Sequence, residues 1–287
     1  MNSPLWTVTL IASHHVEFDQ TKIIGDRRWP NNDGIDPISG SFITIKNSKI
    51  IAGDDCICLI THTEQDIHDV LVENCELESS SAALKISAFE ATATGNIYRV
   101  LFRDNKIIDS NRGLAIMPRW GSGKISQVVF ANITMETHYF SAAWWGSAEP
   151  IYVTSMDSST THFWTGLVSD ITFVNITAHS ENGIVMRTQD DKPKIRDIYF
   201  EQVHVNIDKF SNISAPTHDW RPAPPPDVQP CAVDGYYIDS VDHVTIDNGS
   251  IEFSSPWQPI YGQCLNVSLS SHHLVATNFV CTKVNIG

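Results

Sequence analysis

One five-residue phrase recurs along the chain and constrains its fold more than any other feature. It is apolar at its first and third positions and ends in Asn, as in Ile43-Thr44-Ile45-Lys46-Asn47 and Val70-Leu71-Val72-Glu73-Asn74. Further copies end at Asn132, Asn175 and Asn248, and weaker ones at Gln20, Asp104, Gln202 and Asn278. Most steps between these nine end points are 27 to 30 residues; two are longer, 43 and 46. A repeat of this length built on short strands, with no helical period between copies, is the signature of a stacked β-solenoid.

The phrase also sets which residues face inward. In a strand, alternate side chains share a face, so the first, third and fifth positions are expected to point into the coil. Asn at the fifth position tolerates a left-handed corner, and stacked copies would form a ladder inside the turn. An antiparallel sandwich also has many short strands, but Asn-Gly and Asp-Gly hairpin signals do not recur between successive phrases. The expected fold is therefore all-β: a single parallel β-helix domain over 1–287, about one coil for each of the nine copies. The two long steps predict loop insertions near 139–158 and 212–230.

The start of the chain, Met1 to Ala12, alternates like a strand and has no basic leader, so no signal peptide is read there. No capping element precedes Trp6, which suggests a shortened N-terminus relative to a longer protein. No apolar run is long enough to span a membrane. The six cysteines fit no zinc spacing, and disulfides are favoured, Cys264 with Cys281 first. Pairing of Cys75 with Cys56 or Cys58 is a second expectation. Five sequons, at Asn132, Asn175, Asn212, Asn248 and Asn266, suggest a secreted glycoprotein. With Asn132, Asn175 and Asn248 taken as inward, Asn212 and Asn266 are the expected acceptors.

A second register carries the chemistry. Strands beginning at Ile35, Ile57, Leu84, Leu114, Ile151, Ile184 and Tyr236 are each preceded, two residues earlier, by one member of an outward column. That column reads Asp33, Asp55, Ala82, Arg112, Glu149, Asn182, Asp234. Asp33, Asp54 and Asp55 gather in two successive coils. Like charges a few ångströms apart raise one another's pKa, which costs stability unless the protein uses it. Two acids, one protonated and one ionised, are the minimum for hydrolysing a glycosidic bond.

These residues resemble a known family. Asn31-Asn32-Asp33-Gly34-Ile35-Asp36, followed by Gly53-Asp54-Asp55-Cys56, is similar to the Asn-x-Asp and Gly-Asp-Asp motifs of the polygalacturonases, glycoside hydrolase family 28. Ser3-Pro4-Leu5-Trp6-Thr7-Val8 resembles the phrase that precedes those motifs. The resemblance implies a right-handed parallel β-helix that hydrolyses pectic polysaccharide with inversion. It also implies Asp54 as general acid, Asp33 and Asp55 as the base, and Asn31 as a polar partner.

The departures are equally specific. The family's Gly-His-Gly falls on Ser81-Ala82-Ala83, and its Arg-Ile-Lys, which grips the uronate carboxylate, falls on Ala115-Ile116-Met117. Lys85 and Arg112 are the nearest replacements for the lost cations, with Arg119, Arg187 and Arg221 as further candidates. If none replaces them, an apolar subsite at Ala115 and Met117 would suit a deoxy sugar such as rhamnose. In the first insertion Trp144 and Trp145 offer faces for stacking on sugar C–H groups, and Glu149 could accept hydroxyls. The second insertion, with His218-Asp219-Trp220-Arg221-Pro222 and three prolines, reads as a stiff lid or subsite wall.

The remaining chemistry is thinner. No histidine pair has metal-ligand spacing, and Ca²⁺ at Asp54-Asp55 is the weaker reading for want of further oxygens in register. No metal or cofactor is expected. The net charge of −14 argues against nucleic acid and would repel a polyanion away from a local basic patch. The expectation is a monomeric, secreted O-glycosyl hydrolase acting on a poly- or oligosaccharide, with altered specificity and no membrane partner. Its substrate-binding set would be Asn31, Lys85, Arg112, Glu149, Trp145 and Arg221. The alternative is a non-catalytic carbohydrate-binding β-helix that keeps the acids as relics.

Overall fold

The computed structural model describes residues 3–88, 92–158, 161, 163–190, 192–213, 217–254 and 260–283, and every element among them is a β-strand. All but two of those strands stack in parallel as the expected β-helix of about nine turns.

Each coil runs along three parallel ladders. The first holds the repeated phrases, from Val8–Asp19 and Ile35–Lys46 through Ile67–Glu73, Ile97–Arg103, Lys124–Thr137, Leu167–Ser180 and Ile195–Ile207 to Asp242–Asp247 and His272–Thr277. The second contains Lys22–Ile24, Lys49–Ala52, Glu76–Ser79 and Lys106–Ser110 and ends in Ser250–Phe253 and Val280–Lys283. The third contains Ile57–Thr61, Ala82–Ala88, Arg112–Pro118, Ile151–Ser155, Ile184–Thr188 and Tyr236–Asp239.

The third position of the phrase builds the core. Phe102, Phe130, Phe173 and Phe200 stack ring on ring at centroid distances of 4.8, 5.0 and 5.0 Å, which is the spacing between neighbouring strands. Each is fully buried, contributing roughly 1.5–3 kcal/mol.

The fifth position behaves differently from the expectation. Asn47, Asn74, Asn132, Asn175 and Asn248 all adopt left-handed φ angles between 51° and 55° and are exposed. The ladder exists, since Asn74 Nδ2 donates to Asn47 Oδ1 at 2.7 Å and Asn175 Nδ2 to Asn132 Oδ1 at 2.9 Å. It runs outside the coil, because one left-handed residue reverses the alternation and sends the next side chain inward. Cys75, Asn105, Ile133, Ile176 and Val203 take that place. The steric objection to glycans at Asn132, Asn175 and Asn248 therefore falls.

Cys264 and Cys281 form a disulfide, as expected. Cys56, Cys58 and Cys75 are free and buried, so the second expected pairing is not formed. Both insertions enter at the corner between the second and third ladders. The first is shorter than expected, because Ile151–Ser155 is a regular third-ladder strand. The second contains an antiparallel pair, Thr217–Asp219 with Val228–Pro230, and residues 214–216 lie outside the described residues.

Candidate active site

The corner between the second and third ladders also carries the acids. Gly34 stacks on Cys56 so closely that a Cβ would sit 2.4 Å from the Cys56 carbonyl oxygen. That approach puts Asp33 directly beside Asp55, with the Gly34 N–H donating to the Asp55 carbonyl at 2.9 Å. Gly53 is equally constrained: a Cβ there would meet the Trp29 and Asp26 carbonyls at 2.2 and 2.7 Å. The 26–31 loop thus packs onto the turn that presents Asp54, and the Asn31 N–H donates to Asp54 Oδ2 at 3.0 Å.

One oxygen each of Asp33, Asp54 and Asp55 lies within 4.8 Å of the others. Their environments differ. Asp55 is buried, accepts the Ala82 N–H at 3.2 Å and is ion-paired with the Lys85 ammonium at 2.5 Å. Asp33 is buried, and its Oδ1 has no partner. Burial first, then the charges of Asp55, Asp36 and Asp54, push its pKa up to about 10. Asp54 is only half-buried; desolvation and the Asp55 charge still raise it above the usual carboxylate range, against hydrogen bonds from Asn31 and Ser81. A fourth acid, Asp36, is fully buried with neither oxygen partnered, and desolvation and Asp55 lift it to about 8. At neutral pH this cluster holds protons.

The acids open into a cavity of about 470 Å³, the size of a small-molecule pocket. Asp33, Asp54, Asp55, Asn31 and Lys85 line it together, with Trp144 and Trp145 from the first insertion. Trp145 is 39% exposed and lies against the Arg119 guanidinium at 4.9 Å from its ring centroid. Trp6, His62 and Ser81 are also part of the wall. Sequence reasoning did not assign these three, although Trp6 stands in the phrase noted ahead of the acidic motifs.

The structure does not bring the other candidates to this cavity. Arg112 and Glu149 are each 1% exposed and paired at 2.9 Å, with Arg112 also donating to the Asp219 carbonyl and stacked over Tyr152 at 3.7 Å. Register neighbours of opposite charge, sealed under a loop, satisfy each other rather than a ligand. Arg221 is held by Asp219 at 2.6 Å and by the carbonyls of Ala142 and Trp144, so it fastens the second insertion to the first. Ala115 and Met117, proposed as an apolar subsite, are buried with Tyr152, Met156 and Trp220 in one apolar cluster, and the space beside Met117 is about 10 Å³. No sugar ring fits there.

Fold and site together define a parallel β-helix with an acid-lined, aromatic-walled cleft. The sequence matches the family model "Glycosyl hydrolases family 28" over residues 1–220, and the chain belongs to that family. It is 25% identical over 209 residues to an endo-polygalacturonase of Pectobacterium parmentieri, covering 68% of this chain and 48% of that protein. It is 32% identical over 110 residues to a polygalacturonase of Brassica napus, covering 29% and 28% of the two. A solved structure of a hyperthermoactive exopolygalacturonase from Thermotoga maritima superposes with a TM-score of 0.59 at 17% identity, over 97% of this chain and 50% of that one. The chain spans half or less of the length of these relatives.

Proposed function

We propose that this chain hydrolyses glycosidic bonds in a pectic or related saccharide, outside the cell, with Asp33, Asp54 and Asp55 as its catalytic acids. The observation that carries the reading is the crowding of three carboxylates within 4.8 Å in a cavity deep enough for a sugar. Such crowding holds a proton on one acid at a pH where another is ionised, which is the equipment acid–base hydrolysis requires. Asp54 faces the cavity, is the least buried of the three and has a raised pKa; it donates the proton to the leaving oxygen. Water attacks the anomeric carbon and gives its proton to Asp55, with Asp33 orienting it. Family membership supports inversion at that carbon, and Trp144 and Trp145 support the ring by stacking.

Arg112 and Glu149 have no place in this scheme, and altered specificity rests on the missing family cations at Ala115 and Met117. The rival is a binding β-helix with relic acids, favoured by Ala82 where the family has His. Incubation with polygalacturonate, rhamnogalacturonan and their oligomers, followed by reducing-sugar release and ¹H NMR of the first-formed anomer, separates the two. Release with inverted configuration is expected. Binding without release supports the rival.

A further inference from the structure

If the pectic saccharide of the proposed function is a uronate, something must read its carboxylate, and the family's position for that is sealed. We propose that the reader is Arg28, in a second subsite formed with Arg27, Phe140 and Trp144 and adjoining the acid cavity. This inference rests on the hydrolase reading and adds the residue that would read a uronate carboxylate.

The subsite is a cavity of about 620 Å³, and it shares Pro30, Ala143 and Trp144 with the acid cavity. A saccharide crossing Trp144 would therefore occupy both. Its cations belong to the 26–31 loop, whose backbone packs on Gly53 beside Asp54, so cation and acid positions are mechanically linked. The next coil fixes the loop too, with Ser80 Oγ donating to the Arg27 carbonyl at 2.8 Å.

The two arginines are not equivalent. Arg27 is 21% exposed, its Nη atoms are spent on Asp109 and the Ser79 carbonyl, and its guanidinium lies 4.9 Å from the Phe140 centroid. It contributes charge and position. Arg28 has an 88% exposed side chain. Asp26 takes one edge, Nε at 2.9 Å and Nη2 at 2.6 Å. A guanidinium has five donors, so the Nη1–Nη2 end remains for a bidentate carboxylate. The ammonium in the acid cavity, Lys85, is pinned to Asp55.

The test is steady-state kinetics on trigalacturonate, with equilibrium binding of the same trimer to an Asp54→Asn background. Arg28→Ala should raise KM and Kd about ten- to hundredfold, with a much smaller change in kcat. Arg28→Lys should recover part of the loss, and raised salt should weaken the parent more than the Ala variant. Unchanged KM and Kd in Arg28→Ala overturn the subsite and leave the acids' role standing. Turnover of neutral oligosaccharides alone, with no trigalacturonate binding, overturns it as well. Arg28-dependent binding without any hydrolysis keeps the subsite and removes the hydrolase reading.

Discussion

The column leading into the third ladder, from Asp33 and Asp55 through Ala82 to Arg112 and Glu149, keeps one register, yet its two halves have opposite fates. In the N-terminal half, Asp33, Asp54 and Asp55 line a cavity with Lys85, whose ammonium is paired with Asp55, while Asp36 is fully buried close by. In the C-terminal half, Arg112 meets Glu149 one to one, with Tyr152 stacked on the guanidinium and the Asp219 carbonyl accepting from it. The first half gathers more acids than its one ammonium can pair, and Asp33 and Asp36 are pushed toward the protonated form; in the second, Arg112 and Glu149 pair one to one. Buried acids forced by crowding to keep their protons are costly to ionise, so their persistence points to the half proposed to carry the chemistry.

Breaking the balanced half should have the largest effect on stability. Arg112→Met leaves Glu149 buried and uncompensated and should cost about 3–5 kcal/mol in denaturant unfolding. A smaller loss would mean that the second insertion opens readily and that the sealed half is not sealed.

The unbalanced half should respond to pH in the opposite sense from an ordinary ion pair. Asp36 and Asp33, raised to about 8 and 10, bind protons more tightly when folded than when unfolded. Their contribution is complete below about pH 4 and declines as pH rises toward those values. Asp36→Asn mimics the protonated form, so it should be more stable than the parent at pH 8 by more than about 1.4 kcal/mol, with little difference at pH 4. Thermal melts at the two pH values check this; equal melts at pH 8 would mean that Asp36 is neutralised by another group.

The smallest effect belongs to the outer ladder. Asn74→Leu keeps the coil but loses the bond to Asn47 and places a non-polar residue at a φ of 51°, costing about 1 kcal/mol. An unchanged melt would show that the ladder is ornamental.

The fold was legible because the phrase is periodic: each copy maps to one first-ladder strand, and the acids fall where their spacing suggests. What was not legible had no periodic signal. The outward flip of Asn47 and its fellows comes from a single left-handed residue that cancels the alternation rule. Arg112 looked like a free cation because the closing residues, Asp219 and Trp220, arrive from a loop 107 and 108 positions later in the sequence. Arg27 and Arg28 precede the acidic motif in a loop without pattern, and only the packing of that loop on Gly53 brings them to the cleft.

The central claim, that the crowded acids hydrolyse a glycosidic bond, is tested most directly by the turnover of Asp54→Asn on polygalacturonate oligomers, with its folding verified by circular dichroism. Loss of the proton donor should lower kcat by about 10²–10⁴-fold in a protein that melts like its parent. Turnover retained at the parent's rate would contradict the account.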